Sequence, residues 1–206
     1  MEAARSLASE GGVASVTLTA MAEQAGVHHS AVRRYYTSHK EVLLHLAAEG
    51  WTRWAHTMAN QLRGPGPWTP RRVAEILAQT LAADPLFCDL LANIALHLEH
   101  EVSIDRVVDF KQVSTAAFIS IADAIAHVLP AVGRQGALDT LTAAYALAAT
   151  LWQVAHPPAA LAEAYADGRA PAPDWNLAFI PALTRLLTAT CTGLAIDSSG
   201  TDGSPT

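Results

Sequence analysis

Apolar residues recur at helical spacing through most of the chain, and no run alternates apolar and polar residues long enough to make a sheet. Residues 3–9 read as a short helix stopped by Gly11-Gly12. Thr17 then caps a segment whose Leu18, Met21, Ala22 and Ala25 fall at i, i+3, i+4 and i+7. Gly26 can end that segment with a positive φ. A second short helix over about 29–36 buries Val32 and Tyr36, four residues apart, and Ser38 caps a long helix over about 40–62. The run Arg63-Gly64-Pro65-Gly66-Pro67-Trp68-Thr69-Pro70 must break any helix. Beyond it, helices are expected over about 71–83, 85–99, 103–129, 134–155, 158–166 and 176–194. Pro85, Pro130, Gly133, Pro157 and Pro171 supply the stops. Residues 197–206 are small and polar, which predicts a disordered tail. The expected fold is all-α.

Composition agrees with that reading. The 206 residues include 42 Ala and 24 Leu, which head the helix-propensity ranking. At 51% hydrophobic and 16% charged, the chain has enough apolar material for a sizeable core. Thirteen Lys and Arg against nineteen Asp and Glu give a net charge of −6, which argues against a uniformly basic coat protein but allows a locally basic face. Two cysteines cannot make a disulfide scaffold, so reduced thiols and a cytoplasmic location are expected. No basic segment followed by an apolar core opens the chain, which predicts no signal peptide. The longest apolar helical stretch is read as 141–155. It falls short of the roughly 20 residues of a membrane span, so no membrane partner is expected.

The informative segment is TLTAMAEQAGVHHSAVRRYYTSHKEVLL, residues 17–44. Two short helices joined by a glycine-containing turn match the helix-turn-helix plan, in which the first helix braces a second that enters the major groove. Met21, Ala22, Ala25, Val27, Val32 and Tyr36 are expected to be buried between them. From Gln24 to Lys40 there is no acidic residue, while Arg33, Arg34 and Lys40 are basic and His28, His29 and His39 can become so. A basic edge on an otherwise acidic chain is the footprint of a protein that presents one helix to phosphates. The three histidines predict DNA affinity that rises as the pH falls through neutrality.

This segment resembles the DNA-binding domain of TetR-family transcriptional regulators. The likeness runs over residues 3–49 and is carried by "VTLTAMAEQAGV…VRRYYTSHKEVLL": the Thr cap, the AGV turn, the aromatic close of the second helix and the Ser that starts the next. The resemblance implies a homodimeric regulator, usually a repressor of a near-palindromic operator, whose C-terminal helices bind a small molecule. It implies that Thr17 and Thr19 meet phosphates and that His29, Ser30 and Ala31 face base edges. His28 stands where a Ser cap is usual, Arg33 and Arg34 replace aromatic or His positions, and Tyr35 stands where His is frequent. His39 and Lys40 fall where a Lys grips the DNA backbone. The family's first helix is usually longer and follows a basic arm, whereas this sequence opens at Glu2-Ala3-Ala4.

The expected organisation is therefore an N-terminal three-helix helix-turn-helix DNA-binding domain (1–49) and a larger helical ligand-binding and dimerisation domain (50–195), ahead of the tail (196–206). The fourth helix, about 40–62, connects the two domains. Residues 137–155 carry one charge, Asp139, and are apolar around most of the helix circumference, which demands cover on two sides. Ile180, Leu183, Leu187, Thr190 and Leu194 form a similar stripe, and TetR-like dimers are built from this pair of helices. Trp51, Trp54, Phe87, Phe110, Phe118, Tyr145 and Trp152 are candidates to line a cavity for a small apolar or aromatic effector. His97, His100 and Glu101 have a spacing that can hold a metal, but no second ligand cluster accompanies them. Neither nucleotide-binding nor hydrolase motifs occur, and paired Glu-x-x-His motifs are absent. No catalytic residue, metal or cofactor is expected. A helical carrier or sensor that has lost DNA binding is the alternative from a different class, and DNA-sequence selection discriminates the two.

Overall fold

The computed structural model describes residues 1–172 and 178–200, and among them every regular element is helical. The N-terminal domain contains α1 (Glu2–Gly11), α2 (Leu18–Gln24) and α3 (His29–Arg33). Then come α4 (His39–Gln61), α5 (Pro70–Ala82), α6 (Pro85–Asn93), α7 (Ile104–Val128), α8 (Gly133–Ala155), α9 (Ala159–Ala166) and α10 (Phe179–Gly200).

Local chemistry accounts for most of these boundaries. The Thr17 hydroxyl accepts from the Ala20 amide at 3.0 Å, and Gly26 turns the chain at φ 66°. Ser38 accepts from the Glu41 amide at 3.4 Å while the Glu41 carboxylate reaches back to the Thr37 amide at 2.9 Å. This reciprocal arrangement is a close variant of the capping box. Thr69 and Asp84 cap α5 and α6 directly ahead of Pro70 and Pro85. The helix expected over 85–99 is regular only to Asn93 and continues as one π-helical turn, Ile94–Leu98. The helix expected over 29–36 ends at Arg33.

Burial corrects two side chains. Met21 and Ala22 are buried, but Ala25 is exposed and Val27 is 46% exposed. α3 ends at Arg33, and the end of α2 and the turn stay open. Val32 and Tyr36 are half-buried against the core.

α4 contacts α1 as well as α5, α6 and α7. Its Val42, Leu43, Leu46 and Ala47 are buried toward its start, and its Trp51, Trp54 and Met58 farther along. Gly50 permits a close approach here, since a Cβ would overlap the Phe87 ring. Trp51 is the hub of an aromatic cluster, with ring centroids 5.5 Å from Trp54, 5.4 Å from Phe87, 6.0 Å from Phe118 and 6.1 Å from Tyr145. α5 packs mainly on α10, which also covers α8.

α10 is described through Gly200, four residues into the stretch expected to be a disordered tail. Residues 201–206, and residues 176–177 of the expected last helix, lie outside the described residues. Within α10, Phe179–Ile196 is long and apolar enough by length and composition to cross a membrane, unlike the shorter 141–155 stretch singled out from sequence. Its Phe179, Ala182, Leu183, Leu187 and Cys191 are buried within the chain. The stripe expected to face a second subunit is thus split, with Leu183 and Leu187 in the core and Ile180 41% exposed.

Candidate nucleic-acid interface

α3, the second helix of the helix-turn-helix, is short, and each of its polar residues has a traceable setting. His28 caps it: Nδ1 accepts from the Ser30 amide at 3.3 Å and lies 2.9 Å from the Ser30 hydroxyl. Imidazole therefore performs the capping that a Ser side chain supplies elsewhere. His29 is half-buried, while Ser30, Ala31, Arg33, Arg34 and His39 are exposed. Thr17 and Thr19 are exposed at the start of α2, with the Thr17 hydroxyl engaged as the cap.

Arg33 and Arg34 stand out electrostatically. Most other Lys and Arg side chains have a carboxylate nearby, including Arg5, Arg53, Arg71, Arg72, Lys111, Arg134 and Arg169. Among the described residues neither Arg33 nor Arg34 is within 4 Å of one. Two adjacent uncompensated guanidinium groups on an exposed helix end form a concentrated positive field, suited to phosphate or to the acceptor edge of guanine. Tyr35, 72% exposed, projects beside them. Val27, Ala31 and Tyr35 also line a small apolar cleft of about 260 Å3 against α1 and α2.

Lys40, assigned from sequence to phosphate, has a carboxylate partner within the chain. Its ammonium group lies 2.6 Å from the Glu101 carboxylate, and its side chain is only 20% exposed. Glu101 sits at φ 60°, a left-handed conformation that costs a residue with a Cβ some backbone strain. Just beyond it, Arg106 donates to the Tyr35 carbonyl at 3.4 Å and lies 5.9 Å from the centroid of the Tyr36 ring. The start of α7 and the turn before it therefore hold the far end of the helix-turn-helix. Neither Glu101 nor Arg106 was identifiable from the N-terminal segment, because the partners are 61 and 71 residues apart.

The aromatic residues assigned to an effector cavity divide into three settings. Trp54 and Phe87 are 3% and 1% exposed and pack in the core. Phe110 and Phe118 share the wall of a cavity of about 230 Å3 with Trp51 and Tyr145. Burial, reinforced by Glu99, raises the Tyr145 phenol above its usual range. Trp152 lies elsewhere, stacked on His156 at 3.9 Å and edge-on to Phe179 at 5.2 Å. It lines a more polar cleft of about 630 Å3 with Arg5, Asp84 and Asp89. Among the described residues no group of three or more His, Cys, Asp or Glu side chains converges as a metal site, and Glu101, which shares a helical spacing with His97 and His100, is paired with Lys40.

Comparisons with known proteins agree with this architecture. A solved structure of the transcriptional regulator FadR from Bacillus subtilis, in complex with stearoyl-CoA, superposes with a TM-score of 0.53. It is 13% identical, with 92% of this chain and 96% of that one covered. A comparison with curated protein sequences gives no match. Residues 1–46 match the bacterial regulatory proteins of the tetR family, and residues 48–197 match the tetracyclin repressor-like C-terminal domain. The chain belongs to the TetR family of transcriptional regulators.

Proposed function

We propose that this chain is a ligand-responsive repressor that binds a near-palindromic operator as a homodimer in the cytoplasm. The uncompensated Arg33-Arg34 pair at the exposed end of a capped recognition helix is the observation that carries the reading. In a dimer the two recognition helices would enter successive major grooves one helical turn apart. The exposed Ile180, Leu186 and Ile196 on α10 and Val154 on α8 support a second copy as their cover. An effector in the larger domain would favour a spacing of the two helices that no longer fits the duplex. The apolar cavity beside Phe110 and Phe118, and the complex of FadR with stearoyl-CoA, support an apolar effector.

The test is selection of bound sequences from a random duplex pool, followed by Arg33→Ala and Arg34→Ala on the selected site. An arginine bidentate to guanine costs about 1–3 kcal/mol on substitution and relaxes one base pair. One that touches phosphate weakens all sequences alike and flattens the salt dependence. No preference for any duplex at low salt removes the repressor reading, and ligand binding without it leaves the carrier.

A further inference from the structure

α1, α4 and the first half of α7 enclose a groove of about 730 Å3, within the size range of small-molecule sites. It is separate from the aromatic cavity, although Phe110 lines both. The apolar lining comes from Leu44 and Ala48 on α4 and from Phe110 and Val113 on α7. Around this lining stand three guanidinium groups. Arg5 and Arg53 both lean on Glu49, at 2.8 and 3.9 Å, and Arg53 also reaches Asp84 at 2.8 Å.

The third, Arg106, has no carboxylate within 4 Å among the described residues; Asp109, one turn on, is not that close. Its hydrogen bond is to the neutral Tyr35 carbonyl at a long 3.4 Å. The Glu41 carboxylate also lines the groove, but it is 4% exposed and holds the Thr37 amide. An apolar floor beside a cation lacking a charged partner is complementary to an alkyl chain that ends in an anion.

We infer that this groove binds an amphiphilic carboxylate, its chain along Leu44, Ala48, Phe110 and Val113 and its head on Arg106. A guanidinium–carboxylate pair, with both partners charged and often two parallel bonds, is stronger than the long 3.4 Å bond to a neutral carbonyl, so the head group draws Arg106 off Tyr35. That exchange releases the tie between α7 and the end of the recognition helix. The consequence for DNA rests on the repressor reading above; the binding does not.

Dodecanoate, below its micelle concentration, is the probe, titrated into the full chain by calorimetry. The expected result is one site per chain, at least tenfold weaker in Arg106→Gln and also in Val113→Trp, whose indole obstructs part of the apolar lining. Absence of binding, unchanged binding by Val113→Trp, or tighter binding of dodecyltrimethylammonium overturns the assignment. In a parallel arm, dodecanoate should release a selected duplex from the unmodified protein but not from Arg106→Gln; equal release from both overturns the link through Arg106. A protein that binds no duplex yet gives the expected isotherms loses the repressor reading and keeps the groove.

Discussion

Lys40 Nζ and Glu101 Oε2 are 2.6 Å apart, joining the start of α4 to the turn before α7. A carboxylate thus occupies the ammonium group that the family pattern assigns to a DNA phosphate. Glu101→Gln should free Lys40, tighten binding to a selected operator and steepen its salt dependence by about one phosphate contact. Fluorescence anisotropy over a salt series checks this. Unchanged affinity and slope would show that Lys40 does not reach the duplex.

The same pair has a defined pH response. The hydrogen bond from Lys40, and then its positive charge, hold the Glu101 carboxyl below its ordinary value of 4.5. A lowered carboxyl contributes stability that is fully present above the ordinary carboxylate value and is lost as the pH falls through the lowered one. The link should therefore persist at neutrality and open only in acid. Carbon-13 NMR of the Glu101 side chain should give a midpoint below 4.5 that returns toward it in Lys40→Met.

Gly50 offers a stability test inside α4. Alanine is the better helix former, yet its Cβ would overlap the Phe87 ring, which is buried among Trp51 and Trp54. Gly50→Ala should lose about 1–3 kcal/mol in denaturant unfolding, as overpacked cores do. A gain would mean that the aromatic cluster yields at little cost.

Ile180→Glu on the outer face of α10 should convert a dimer to a folded monomer by sedimentation, with the helical circular dichroism retained. Leu187→Glu should unfold the chain instead, because Leu187 is buried within the subunit. Identical behaviour of the two variants would place the subunit contact elsewhere.

Features carried by neighbouring residues were readable in the sequence. Thr17, Gly26, Ser38 and the prolines at 70 and 85 mark helix ends through short-range chemistry, and they stand at those ends in the structure. Periodicity tells which face of a helix is apolar but not how far its neighbour extends, so it predicts burial for Ala25 and Val27, which are exposed. For the same reason Leu187 and Ile180 looked equivalent on one stripe, though only the first meets the subunit's own core. Trp54 and Phe87 have the composition of a pocket wall and the packing of a core, and only tertiary contacts separate the two. The ties to Glu101 and Arg106 join residues more than sixty positions apart, beyond any local pattern.

The pairing of α5 with α10 has a bearing on biosynthesis. The apolar Val73, Ile76, Leu77 and Leu81 of α5 leave the ribosome roughly a hundred residues before α10 begins at Phe179. At usual elongation rates, α5 spends on the order of 5–20 s without its main partner. A sticky helix waiting that long is a natural client for chaperones, and truncation before α10 should send the chain to aggregates. The DNA-binding helices α1 to α3, encoded first, are not subject to that wait.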